Sequence, residues 1–124
     1  MIRVLVIDDE ISVCQSLVGF LEDSDFDVSS ACSGEEALDI ITREFFDVAI
    51  VDLRLPGMSG EALVLQVYEK VPDLRFLVHT GSVDYRLSEE LKGIGISQDD
   101  VFLKPMDDLN VLVARIHNVI QEKK

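Results

Sequence analysis

The chain has 124 residues, 48% of them hydrophobic, with 11 basic side chains against 24 acidic and a formal net charge of -13 at neutral pH. That length fits a single domain spanning residues 1–124 around one sizeable core, and the acidity speaks against direct nucleic-acid binding, which needs a basic footprint. No apolar run approaches the roughly 20 residues that insert across a membrane, no signal-peptide pattern precedes the first strand, and Cys14 and Cys32 lack metal-ligand or CxxC spacing, so the chain reads as cytoplasmic with reduced thiols.

Apolar runs alternate with amphipathic stretches, each pair taking about 25 residues, the size of a βα unit. The first strand, residues 3–8, runs Arg3-Val-Leu-Val-Ile7 straight into Asp8-Asp9-Glu10. Cys14, Leu17, Val18 and Leu21 then recur at the helical period. Strand two, residues 27–31, is Asp27-Val-Ser-Ser-Ala31, polar enough for a sheet edge. Ser33-Gly-Glu-Glu36 predicts a capping box opening the second helix. Strand three, residues 47–52, is an apolar run that ends abruptly in the carboxylate of Asp52, followed by the loop Leu53-Arg54-Leu55-Pro56-Gly57-Met58-Ser59-Gly60. Strand four, residues 75–80, ends in the hydroxyl of Thr80. The fourth helix has a thin stripe, Leu87 and Leu91, which predicts a short helix ended by Gly93 and Gly95. Strand five, residues 100–104, ends in Lys104 before Pro105, and Leu109, Leu112, Val113, Ile116 and Ile120 stripe the last helix.

Strands one, three and four are apolar at consecutive positions, as strands covered on both faces should be. Five right-handed βα units therefore predict an α/β doubly wound, five-stranded parallel sheet of order 2-1-3-4-5 with five helices. Ligands bind such sheets at the carboxyl ends of the strands, in the crevice where strands one and three diverge. Asp8, Asp9 and Asp52 are expected to meet there.

Converging carboxylates repel one another unless a cation neutralises them. Hard oxygen donors suit Mg²⁺, which shares itself readily with phosphate oxygens. Lys104 supplies a point charge for a phosphoryl oxygen, and Thr80 offers a hydroxyl at the same edge. Together these parts describe phosphoryl transfer with a carboxylate as covalent acceptor. Taken singly, each has a plainer reading. Asp8-Asp9 could cap the first helix, Glu10 only favours that helix's dipole, Thr80 could be turn chemistry, and Lys104-Pro105 a strand end. Their joint occurrence on four strand tips is what argues for chemistry.

On the motifs Asp8-Asp9, Asp52 through Gly60, Thr80-Gly81 and Lys104-Pro105, the chain resembles over its whole length the receiver domain of bacterial two-component response regulators. The resemblance implies a flavodoxin-like fold and Asp52 as the phosphoacceptor. It implies that Asp9, Asp52 and the backbone carbonyl of Arg54 ligate Mg²⁺, with Asp8 acting through water. Lys104 would hold a phosphoryl oxygen, and Thr80 would swing toward the phosphoryl group. The implied partners are a sensor histidine kinase or phosphotransfer protein as donor. Downstream, a protein or fused output domain would read the surface of the fourth helix, fifth strand and fifth helix, and a homodimer is compatible with it. The domain would be a signalling element rather than an enzyme. Neither His79, read as strand packing, nor His117, read as helix surface, is expected to carry phosphate.

Two departures from the family's pattern stand out. Val101 occupies the place of the aromatic three positions before the lysine, with Phe102 one position along and so on the other face. The stretch from Thr80 to Lys104 is longer than usual, with residues 93–98 taking the slack. Two rival readings use the same fold or the same parts. A pseudo-receiver would be an interaction module that no longer uses phosphate. An aspartyl-phosphate hydrolase would need a second Asp where Arg54 stands.

Overall fold

The computed structural model describes residues 1–83, 85–104, 106 and 108–122. Strands β1 (Arg3–Ile7), β2 (Asp27–Ala31), β3 (Val48–Val51), β4 (Arg75–Thr80) and β5 (Val101–Leu103) alternate with helices α1 (Ile11–Asp23), α2 (Gly34–Arg43), α3 (Gly60–Lys70), α4 (Glu89–Gly93) and α5 (Asn110–Glu122). The strands form one parallel sheet in the order β2-β1-β3-β4-β5. Strand ends fall within one residue of the expected ones, the margin by which assignments of frayed ends differ. Pro105 lies outside the described residues.

The consecutive apolar residues of β1 and β3 do what a doubly covered sheet requires. Leu5, Ile7, Ala49 and Val51 face α2, α3 and α4, while Val4, Val6, Val48 and Ile50 face α1 and α5. Each strand therefore belongs to both hydrophobic cores, and a one-residue slip would exchange its two faces. The polar β2 is an edge, as its composition predicts. Near the other edge, Val101 packs with the α2–α4 layer and Phe102 with the α1–α5 layer, so the offset aromatic does point away from the side that Val101 occupies.

Helix starts are fixed by serines. Ser33, Ser59 and Ser88 accept from the backbone N–H groups of Glu36, Ala62 and Leu91. The box at Ser33 is only half reciprocal, because the Glu36 carboxylate takes the Cys32 N–H at 3.5 Å, not that of Ser33. Helix α4 is indeed short, and Gly95, at φ +102, turns the chain after it. Between this turn and β5 the chain makes a 3₁₀ turn at Gln98–Asp100. Asp100 is buried there against Arg115 Nε at 2.7 Å, an ion pair that no local pattern announced.

Candidate functional site

The parallel ladder carries two carboxylates past its last apolar rung. Asp8 N donates to Ala31 O at 3.1 Å and Asp52 N to Ile7 O at 2.9 Å. Both residues are thereby held at the tips of β1 and β3, 1% and 4% exposed. At β5, Lys104 N donates to Thr80 O at 2.8 Å, which fixes the base of the lysine beside the tip of β4. The Lys104 stem then brings Nζ to Asp8 Oδ2 at 2.9 Å, Asp52 Oδ2 at 3.1 Å and Glu10 Oε1 at 3.2 Å.

The other carboxylate oxygens are held by the backbone. Glu10 N donates to Asp8 Oδ1 at 2.9 Å, and Arg54 N to Asp52 Oδ1 at 3.0 Å. The loop after β3 can turn back under Asp52 only because residue 60 lacks a side chain. A Cβ there would lie 2.5 Å from Asp52 O and 2.6 Å from Leu53 Cα. Gly57, at φ +77, makes the other turn that only glycine adopts cheaply.

Burial pushes the Asp8 carboxyl above its ordinary range, against the backbone hydrogen bond and the lysine charge that favour its anion. Burial also works against the Lys104 ammonium, but the neighbouring carboxylates of Asp8 and Asp52 outweigh it and hold that pKa above the usual lysine value. The ammonium is thus a fixed positive charge. Carboxylate oxygens of Asp8, Glu10 and Asp52 all lie within 4.8 Å of one another. Asp8 Oδ2 is buried and, despite the ion-pair contact, lacks a well-directed hydrogen bond. An all-oxygen set with one under-satisfied buried anion fits a hard divalent cation.

The predicted residues are distributed unevenly. Asp8, Asp52 and Lys104 come together. Asp9, expected to meet Asp8 and Asp52, is instead exposed and outside the close carboxylate group, because successive side chains leaving an extended strand point to opposite sides and Asp8 takes the inward one. Glu10, expected only to favour the dipole of α1, instead touches the lysine, a correction that follows from its position at the N-cap, two residues beyond Asp8, where its own N–H is tied to the Asp8 carboxylate. Thr80 is buried, and its Oγ1 accepts the N–H of Ser82 at 3.2 Å. The Arg54 side chain is exposed, while its N–H serves Asp52. His117 sits on the exposed face of α5 with its ring 5.4 Å from that of Phe26. His79 is buried in β4, held neutral to about pH 4 by burial and by the charge of Lys104. It was expected to be packing, yet both its ring nitrogens lack a hydrogen-bond partner among the described residues. No helix among the described residues is long and apolar enough to cross a membrane.

A family profile described as the response regulator receiver domain matches residues 4–117. The cell cycle response regulator CtrA of Brucella ovis is 30% identical over 122 residues, which are 98% of this chain and 51% of that protein. The chain therefore spans about half the length of the curated relatives it matches. A CheY-like response regulator receiver domain protein from Methanospirillum hungatei superposes with a TM-score of 0.86 at 27% identity, covering 99% of this chain and 96% of that one. The response regulator TrrA of Thermotoga maritima, solved with Mg²⁺ and BeF, gives a TM-score of 0.83 over 96% of this chain and 99% of its own; at 24% identity that likeness speaks for the fold alone.

Proposed function

This chain belongs to the response regulator receiver family, and from that premise we propose that Asp52 accepts a phosphoryl group from a phosphohistidine on a sensor kinase or phosphotransfer protein. The observation that carries the proposal is the buried junction of Asp52, Asp8 and the Lys104 ammonium at three strand tips. Asp52 Oδ2, the oxygen facing Lys104, forms the new O–P bond as the donor's N–P bond breaks, and the leaving imidazole keeps the electron pair and takes a proton. Lys104 neutralises a phosphoryl oxygen as charge gathers on it. The backbone N–H of Arg54 keeps Asp52 oriented throughout.

Mg²⁺ would be held by Asp52 and the Arg54 carbonyl with Asp8 acting through water, and by Asp9 once it turns in from the exposed position it has here, and would supply charge neutralisation at the phosphoryl oxygens. Thr80 gives up Ser82 for the phosphoryl group, and so pulls the loop that leads into α4. The altered surface of α4, β5 and α5 then meets a downstream protein or a fused output domain, or a second copy of the chain, in the cytoplasm. The domain signals by carrying the phosphoryl group and later loses it by hydrolysis.

Incubation with acetyl phosphate and Mg²⁺ should add one phosphoryl mass, and Asp52→Asn should abolish the gain. Label that persists in the variant would overturn the assignment. An unlabelled parent would favour a pseudo-receiver that binds partners without phosphate.

A further inference from the structure

His79 is the residue the site has not yet used. Its ring is buried in β4, yet neither Nδ1 nor Nε2 has a hydrogen-bond partner among the described residues. Two unpaired buried polar atoms are costly, and native proteins seldom carry them without a reason. An apolar residue would fill a doubly covered strand at lower cost. His79 is a Cα partner of Phe102 on β5, and Lys104 lies two residues beyond Phe102, so alternation puts His79 and Lys104 on the same face of the sheet. Both line one cleft of about 520 Å³ beside α1, walled by Val13 and Leu17 of that helix and by Met106 and Leu109 from the chain ahead of α5. The lysine's charge is near enough to disfavour protonation of the ring.

Lys104 has three N–H donors, and in this state three carboxylates surround its ammonium. Once Asp52 carries a phosphoryl group and a dication occupies the neighbouring carboxylates, those acceptors are no longer all available to it. The neutral imidazole offers one bare nitrogen, a hydrogen-bond acceptor on the wall of the same cleft.

We propose that His79 is a positioning residue for Lys104: its bare ring nitrogen accepts an N–H of the ammonium when the carboxylates are engaged elsewhere, and so holds the lysine over the phosphoryl group. The inference rests on the phosphoacceptor reading of Asp52.

The test compares the parent with His79→Leu and His79→Gln. Leucine removes the unpaired atoms, so it should raise the urea midpoint, while glutamine retains an acceptor. With acetyl phosphate as donor, His79→Leu should lower the maximal labelling rate about five- to twentyfold at an unchanged half-saturating donor concentration, and His79→Gln should restore most of it. A merely structural role would move stability and rate together, whereas here they move in opposite directions. Nitrogen-15 spectra of the imidazole, resolved in a His117→Gln background, give a second readout. The bare nitrogen of His79 should show the shift of a hydrogen-bond acceptor only after Mg²⁺ and beryllofluoride are added. Parent-like labelling in His79→Leu, or a ring spectrum indifferent to beryllofluoride, would overturn the proposal. Failure of the parent itself to label would count against the phosphoacceptor reading instead.

Discussion

At the scale of single residues, the balance at Lys104 decides how the site behaves. One ammonium serves three carboxylates, two of them buried, so removing it leaves uncompensated negative charge. Lys104→Met should therefore lower stability by about 3–5 kcal/mol near neutral pH. The sign of its pH dependence follows from Asp8, whose carboxyl burial already pushes upward. Without the lysine that rise grows. A carboxyl with a raised folded pKa contributes stability in its protonated form, which is lost as pH rises. The deficit of Lys104→Met should thus shrink as pH falls from 7 toward 5, read as urea midpoints beside the parent. A deficit independent of pH would mean that the carboxylates do not depend on the lysine. His79 works in the opposite sense. Its folded pKa is pushed down to about 4, whereas the unfolded ring takes a proton near its ordinary value of about 6.5. The neutral ring's contribution is complete above that value and is lost as pH falls toward 4, up to about 3 kcal/mol. His79→Gln should gain on the parent across that window, and equal slopes of midpoint against pH would contradict it.

At the scale of elements, the loop between β3 and α3 is the most constrained part of the molecule. A Cβ at position 60 would press on the backbone of Asp52 and Leu53 at 2.5 and 2.6 Å, distances that no rotamer change relieves. Gly60→Ala should cost about 1–3 kcal/mol by overpacking, and should slow acetyl phosphate labelling because the displaced backbone carries Asp52. Ala substituted at Gly19, where a Cβ would meet nothing, is the control that should leave labelling unchanged; a Gly60→Ala protein that labels like the parent would show that Asp52 tolerates the shift. The layout of elements was legible because its signals are local. Continuous apolar runs in β1, β3 and β4, the polar β2 and the thin stripe of α4 each report their own burial. Asp8, Asp52 and Lys104 were legible because strand tips of a parallel sheet converge by topology alone. Glu10 was not, since whether a side chain at a helix start turns to the dipole or to a lysine on β5 depends on α1's tilt. The unpaired ring of His79 was not either, because a missing partner is a three-dimensional fact. Nor was the Asp100–Arg115 pair, which joins a 3₁₀ turn to a helix on the far side of β5.

At the scale of the whole molecule, a net charge of -13 on 124 residues means the folded state is compressed against its own repulsion. Any salt relieves part of that by screening, so stabilisation by Mg²⁺ proves a site only if it exceeds what ionic strength supplies. A bound dication adds RT ln(1 + [L]/Kd); with a dissociation constant on the order of 1 mM, about 10 mM Mg²⁺ contributes roughly 1.4 kcal/mol. For a domain of this size that is a rise in Tm of about 4–7 °C. Sodium chloride at about 30 mM matches the ionic strength of 10 mM MgCl₂, and should give a smaller rise that keeps growing with concentration while the Mg²⁺ effect saturates. Asp8→Asn separates the two further. It removes the buried, under-satisfied anion, so the variant should be no less stable than the parent without metal, should lose most of the saturating Mg²⁺ response, and should keep the sodium response, which belongs to the surface as a whole. Calorimetric scans of both proteins in the two salts decide it. If Mg²⁺ and sodium chloride raise the Tm of the parent equally at matched ionic strength, the charge of the carboxylates at the strand tips is answered by Lys104 and they do not form a cation site.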